Sequence, residues 1–411
     1  MLGYHPFRYQ PFRGLYLTYQ VVLTTLVWVP IWTLISLPPF LRPRASWDFR
    51  RAFWVRVLRH LGYVETMVGS VPAPPNHTAL VEGVKGLWIE PVPHLIVGEI
   101  KETAVADNVQ AIRIPGYWTD TKGSDIPIGQ APILGEKVLY HLHGGGYVAL
   151  SGNPRDPTAA IGRQVMRYYK PILRTFSIEY RLSQALPNTP ANPFPAALID
   201  AIAGYNYLVN VVGFSQADII VQGDSAGGNL AIALTRYLLD NQGRSDVDIP
   251  APPGALLLLS PWADIGTSHE RPNSTFYTFT NSDYILADKY GDLAYKRAAI
   301  VGPFGLGAAE TNRYISPASL HPIANSNTKG GLFKGFPRTF INAGGAEMLR
   351  DQIRTLRKKM VEDMGEGEGK GQVEYYEAPD AIHDYLVFNW HEPERTETLK
   401  RIAEWLGAGS A

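Results

Sequence analysis

The chain has 411 residues, 45% of them hydrophobic, 11% aromatic and 18% charged, which is enough apolar material for a sizeable core and does not indicate disorder. Lys plus Arg and Asp plus Glu stand at 38 each, so the formal charge is zero and no electrostatic footprint for nucleic acid is present. Cysteine is absent, which excludes disulfides, thiolate chemistry and cysteine-ligated zinc, and no His-Glu-x-x-His pattern offers a metal site.

No residue is charged from Leu15 to Leu37, and the apolar run through Val21-Val22-Leu23 and Leu26-Val27-Trp28-Val29 is dense enough over ~20 residues to cross a bilayer. Arg8 and Arg13 precede it, Arg42 and Arg44 follow it, and Tyr16, Tyr19, Trp47 and Trp54 resemble interfacial anchors. The run outlasts a signal-peptide core of ~7–15 residues, and Pro38-Pro39-Phe40 offers no small-residue cleavage site. The alternative is a buried or interfacial helix. The expectation is a single-pass membrane anchor over residues 1–43, then an N-terminal cap and leading strands over 44–135, with strands near Leu87 and Ile112. Arg42, Arg44, Arg50 and Arg51 outweigh Arg8 and Arg13, which by the positive-inside rule leaves the bulk of the chain in the cytosol. The sequons at Asn76 and Asn273 are glycosylation acceptors only in a lumenal chain, so orientation stays open.

A core follows over 136–411. Val138 to His143 alternates as a strand and runs into Gly144-Gly145-Gly146, a loop whose backbone can approach a bound group closely. Such a loop supplies fixed N–H donors to the alkoxide formed when a nucleophile attacks an ester carbonyl, and Gly144 and Gly145 are the two donors expected here. Further on, Asp218 to Val221 reads as a buried strand and Ala226 to Leu239 as a helix, with Gly223-Asp224-Ser225-Ala226-Gly227 between them. Gly-x-Ser-x-Gly on a strand-to-helix turn is a nucleophile elbow, which makes Ser225 the candidate nucleophile and the Ala226 N–H a third oxyanion donor.

Ala255 to Leu259 is a further apolar strand ending at Ser260-Pro261-Trp262. Between Asp264 and Gly335 the rhythm of strands and helices lapses into Tyr- and Phe-rich polar text with one helical stretch near Ala287 to Ile300. This is read as a cap insertion over about 265–335. Arg338 to Gly344 and Gln372 to Ala378 are the last strands, separated by a helix from Met348 to Met364. The stretch Gly365 to Gly371 is an exposed linker.

The pairing of His143-Gly144-Gly145-Gly146 with Gly223-Asp224-Ser225-Ala226-Gly227-Gly228, in that order, resembles the hormone-sensitive-lipase-like branch of the α/β-hydrolases. The likeness extends from about Lys137 to the C-terminus and includes Tyr180-Arg181-Leu182 and Ser260-Pro261-Trp262. The resemblance implies an α/β fold with a mostly parallel sheet under a helical cap. It also implies a triad in the order Ser225, Glu347, His383, with Glu347 standing where the family usually has Asp and Asp351 as the fallback. His141 and His143 are read as structural supports of the oxyanion loop, and no role is assigned to the other histidines. The implied activity is hydrolysis of short-chain esters of lipophilic alcohols such as sterols or terpenoids, through an acyl-enzyme and without a cofactor. Amide or formamide hydrolysis and acyl transfer use the same triad. A non-catalytic small-molecule receptor is the alternative of another class, and the gibberellin receptors that resemble this fold lack the histidine kept here as His383. The anchored deacetylases of the family, arylacetamide deacetylases and fungal steryl acetyl hydrolases, imply an endoplasmic reticulum location.

Overall fold

A computed structural model describes residues 6–69, 71, 76–286, 292–323 and 331–408. The start of the helix expected near Ala287 and part of the cap insertion lie outside these residues. Strands β1 (Lys85–Ile89), β2 (Ile114–Asp120), β3 (Lys137–Leu142), β4 (Ile172–Ile178), β5 (Ile219–Asp224), β6 (Ala255–Leu259), β7 (Arg338–Gly344) and β8 (Val373–Ala378) form one sheet in the order β1-β2-β4-β3-β5-β6-β7-β8. β1 pairs antiparallel with β2, and β2 antiparallel with β4; all the other pairings are parallel.

The run of β6 shows why a parallel interior reads as unbroken apolar text. Successive side chains alternate faces, so Leu256 and Leu258 join one core cluster while Ala255, Leu257 and Leu259 join the other. Each fully buried leucine of this kind contributes ~1.5–3 kcal/mol relative to exposure.

Helices cover both faces. In chain order the longer ones are α1 (Phe12–Ser36), α2 (Phe49–Val68), α3 (Ala159–Tyr168), α4 (Ala196–Val212), α5 (Ala226–Asn241), α6 (Asp292–Val301), α7 (Arg350–Met364) and α8 (Glu394–Ala408), with shorter helices at Gly98–Ala106, Thr275–Thr278 and Leu306–Thr311. α4, α5 and α7 pack on one side of the sheet; α3 and α8 pack on the other, joined by Trp47, Ala52 and Val55 at the start of α2. α5 is buried along nearly its whole length because the segment after β1 crosses its outer side, where the Tyr237 hydroxyl accepts from the Val97 N–H at 3.0 Å.

The N-terminal helix is not free of the domain. Pro30 lacks the N–H that an α-helix needs, and the helix accommodates it with one wide π turn at Thr24–Trp28. α1 then lies across α2, with Thr24 Oγ1 on His60 Nε2 at 2.8 Å and Ser36 Oγ accepting from Arg56 at 3.1 Å. α2 is in turn fastened to the core by the Arg51–Glu394 ion pair at 2.6 Å and by Trp47 Nε1 donating to the Asp380 carbonyl at 2.9 Å.

Candidate active site

β5 delivers Ser225 at its C-terminal end, where ligands bind in open α/β sheets. The serine has φ 50° and ψ −117°, a left-handed conformation rarely adopted by a side chain with a Cβ, and it aims the hydroxyl out of the sheet. Glycine is needed on both sides of the turn. A Cβ on Gly227 would run into the Leu142 carbonyl and one on Gly223 into the backbone of Gly227, so neither close approach survives a larger residue. The Ser225 N–H donates to the Leu259 carbonyl at 3.0 Å and its own carbonyl accepts from Trp262 N–H at 2.9 Å, which ties the strained turn to the end of β6.

Glu347 and His383 come from the loops after β7 and β8. Glu347 is fully buried, with Oε1 accepting from the Gly344 N–H at 3.1 Å and Oε2 standing 3.0 Å from His383 Nδ1. Burial raises the Glu347 carboxyl above its usual range, against the lowering effect of His383 and Ser260. Burial alone would push the His383 imidazole down, but carboxylates on both of its nitrogens, Asp384 and Glu347, outweigh it and hold the ring well above its ordinary value. Asp351, the fallback acid, does not reach the histidine. Its Oδ2 accepts from the Thr275 N–H at 2.8 Å and so caps a short turn of the inserted segment.

The oxyanion loop departs from expectation by one residue. The Gly144 N–H, expected to face the oxyanion, donates instead to Asp224 Oδ2 at 2.9 Å, and Gly144 is not part of the cavity wall. Gly145 and Gly146 line the cavity with Ser225, and their N–H groups and that of Ala226 make no hydrogen bond within the described residues. The reason lies in Asp224. Its other oxygen bonds His141 Nε2 at 3.0 Å, so one carboxylate anchors both the strand end and the first glycine, and the next two glycines curve over the nucleophile with φ 96° and 63°. His143 stacks on Tyr180 with ring centroids 4.1 Å apart, and Nδ1 meets the Gly144 carbonyl at 2.8 Å; burial pushes it down to about 4, so it stays neutral. Both histidines therefore hold the loop and neither faces the cavity.

Ser225, His383, Gly145 and Gly146 share one cavity of about 380 Å³, the size of a small-ligand site. Its walls include Trp262 from the end of β6, Tyr284, Leu286, Leu293 and the charged Asp292 and Lys296 from the insertion, and Gly62, Glu65 and Thr66 from α2.

A family model for the alpha/beta hydrolase fold matches residues 139–387. The chain belongs to the α/β-hydrolase family. An acetyl-hydrolase of Streptomyces hygroscopicus is 30% identical to this hydrolase over 273 residues, 65% of this chain and 73% of the relative. Steryl acetyl hydrolase 1 of Saccharomyces cerevisiae is 24% identical over 56% of this chain and 50% of the relative. A crystal structure of an esterase/lipase from an uncultured bacterium superposes with a TM-score of 0.55 at 21% identity, covering 93% of this chain and 96% of that one, which shows the fold. Hormone-sensitive lipase of Mus musculus is 35% identical over 109 residues, 26% of this chain and 13% of the relative, in line with the branch that the paired glycine motifs resemble.

Two carboxylates of the hydrolase escaped the sequence reading. Asp384 Oδ2 lies 3.0 Å from His383 Nε2, the nitrogen that a nucleophilic serine needs, and no hydrogen bond joins Ser225 Oγ to that ring in this arrangement. Burial pushes the Asp384 carboxyl up to about 7, against the lowering effect of His383, and its Oδ1 is buried without a partner. Its place directly after the histidine was the available signal. Asp283, from the insertion, is fully buried and accepts N–H bonds from Met348 at 2.7 Å, Tyr284 at 2.8 Å and His383 at 3.3 Å. It thereby staples the turn carrying Glu347 to the turn carrying His383, and nothing in its polar, aromatic surroundings marks it in the sequence. His269, assigned no role, joins Asp264 at 2.6 Å and Thr355 at 2.9 Å in a buried clasp away from the cavity.

Proposed function

We propose that this hydrolase is a membrane-attached serine carboxylesterase that removes short acyl groups, acetyl foremost, from lipophilic alcohols. The observation that carries the proposal is the left-handed Ser225 on the wall of a cavity lined also by His383, which Glu347 holds from behind, and by Gly145 and Gly146, whose N–H groups are free. Ser225 Oγ attacks the ester carbonyl while His383 Nε2 takes its proton, once Asp384 has released that nitrogen. The carbonyl oxygen becomes an alkoxide held by Gly145, Gly146 and Ala226 N–H groups, and its collapse breaks the bond to the alcohol, which leaves with the proton from Nε2. Water then attacks the acyl-Ser225 ester by the same route in reverse, releasing the acid and restoring the serine. Glu347 orients the ring through Nδ1 and stabilises the imidazolium.

The acyl preference rests on relatives named as an acetyl-hydrolase and a steryl acetyl hydrolase; the lipophilic alcohol rests on the Trp262, Tyr284, Leu286 and Leu293 lining. Attachment to a membrane rests on the apolar helix Phe12–Ser36, which is only 11% buried over its most apolar stretch and is thus not a core helix. A fluorophosphonate probe should label the wild type and not Ser225→Ala, and the variant should lose on the order of 10⁵–10⁶-fold in kcat. Acetyl to palmitoyl esters of sterols and phenols then read the substrate: acetates of lipophilic alcohols should turn over fastest, and a preference for soluble polar esters would reject the assignment.

A further inference from the structure

We infer that the N-terminal helix docks flat on a phospholipid bilayer, as a monotopic surface, and holds the mouth of the Ser225 cavity against the lipid so that substrate enters from the membrane. This rests on the esterase reading for what the cavity does, but not for how the helix lies.

Half of the exposed large apolar side chains among the described residues fall between Tyr9 and Leu41. On α1 they recur at helical spacing as one stripe, Leu15, Tyr19, Val22, Leu26 and Leu34, continued by Leu37 just past its end, each more than half exposed. At 1.5 Å per residue the 25-residue helix is about 37 Å long, and the stripe runs along nearly all of it. The opposite side of the same helix is not apolar surface awaiting lipid. It buries Gln20, sets Thr24 on His60 and Ser36 on Arg56, and packs Trp32 edge-on against the His60 ring with centroids 5.3 Å apart.

A spanning helix needs hydrocarbon on every side. This one has lipid-compatible chemistry on one side and a charged neighbour on the other. Crossing the bilayer in this arrangement drags α2 with it, bringing Arg50, Arg51, Arg56 and Arg59 to hydrocarbon depth, and α2 is itself fastened to the globular core. Lying in the interface leaves all those contacts intact and sinks only the stripe. Arg50, exposed at the start of α2, and the exposed Tyr9, Tyr19 and Trp54 suit the headgroup level, whereas Arg42 is held by the Ser36, Leu37 and Trp47 carbonyls and Arg44 by Asp380.

The same region forms the rim of the cavity. Arg8, just before the helix, and Gly62, Glu65, Thr66 and Gly69, at the end of α2, line the space that Ser225 faces, and Arg8 donates to the Thr66 carbonyl at 3.3 Å. Seating the stripe on lipid therefore brings the cavity mouth to the bilayer surface, where a lipophilic ester is concentrated.

Because the natural chain has no cysteine, single cysteines report position cleanly. Tyr9→Cys and Ala45→Cys flank the helix in the full-length protein reconstituted into phosphatidylcholine/phosphatidylglycerol vesicles. A membrane-impermeant maleimide added to proteoliposomes should label both sites to the same extent in each population of molecules. Labelling of one site and protection of the other until detergent is added shows a spanning helix and overturns the inference. So does failure of the protein to float with vesicles, including flotation replaced by a discrete dimer. In the double variant Val22→Lys/Leu26→Lys, turnover of a vesicle-held acetate ester should fall at least about tenfold while turnover of a dissolved acetate stays within about twofold. Equal change on both substrates overturns lipid access. If the wild type hydrolyses neither, the esterase reading fails, while the labelling pattern still decides how the helix lies.

Discussion

Replacing Asp384 with asparagine keeps the side chain's size and removes one of the two carboxylates that grip the His383 ring. The gap to Nε2 is 3.0 Å, both groups are buried, and Glu347 holds Nδ1 at the same distance. A buried carboxylate this close favours the imidazolium over the neutral ring and so holds His383 above its ordinary value. The imidazolium cannot accept the Ser225 proton, so in the wild type the acid limb of kcat/KM should stand above the ordinary histidine range. Removing the charge lowers the ring's pKa, leaves more of it neutral at a given acidic pH and frees Nε2 to turn to the serine. The acid limb of Asp384→Asn should move down by about 1–3 pH units, giving at least about tenfold faster turnover of a dissolved phenyl acetate well below the wild-type midpoint. The measurement is a pH–rate profile of both enzymes from about pH 4 to about pH 9, which spans the histidine range. A limb that stays where it was, or a uniform loss at every pH, would show that Asp384 does not restrain the base.

Three further outcomes follow from the same geometry. Gly145→Ala brings a Cβ against the Ala149 backbone at φ 96° and displaces an oxyanion donor, so kcat should fall ~100- to 1000-fold with a much smaller change in KM; a change confined to KM would place the donor elsewhere. Asp283→Asn keeps the shape of the staple but replaces one acceptor oxygen by a donor facing main-chain N–H groups. Steady-state kinetics should show a loss in kcat with a shifted pH profile, and Asp283→Glu should not restore it because the extra methylene overfills a fully buried site. Burial would raise Glu394, yet His391 and Arg51 hold it down to about 2. Its folded value is thus below its unfolded one, so its contribution is present above pH ~4 and is lost as pH falls toward ~2. That contribution is on the order of 3 kcal/mol, and denaturant titrations of Glu394→Gln should show the deficit at neutral pH and its disappearance in acid.

Strands buried on both faces were readable to within a few residues: Val138 to His143 and Asp218 to Val221 of the sequence reading are Lys137–Leu142 and Ile219–Asp224 in the sheet, whereas Ala255–Leu259 and Arg338–Gly344 match to the residue. Ala255–Leu259 is an unbroken apolar run between Gly254 and Ser260-Pro261, so burial on two sides leaves no polar residue to blur its limits, while Arg338–Gly344 keeps its limits although it buries Arg338, Thr339 and Asn342. The leading strand expected near Ile112 begins at Ile114, and the helix after Glu347 begins at Arg350, displacements typical of ends decided by local capping. The oxyanion loop was legible as a loop but not as a register. Three glycines look alike, and the choice among them is made by Asp224, 80 residues away, which consumes the first N–H. Asp283 was illegible for the same reason, since its partners Met348 and His383 lie 65 and 100 residues further on. The apolar segment read correctly as a helix, but its seat on α2 depends on Thr24, Ser36 and His60, polar residues whose meaning appears only when the two helices meet.

That seat links two properties usually engineered separately. Trimming the first 43 residues to obtain a freely soluble catalyst also removes Arg8 from the cavity rim and strips the outer cover from His60 and Arg56. The shortened enzyme would therefore differ from the parent in selectivity as well as in where it resides, and kinetic constants measured on it would describe a different doorway.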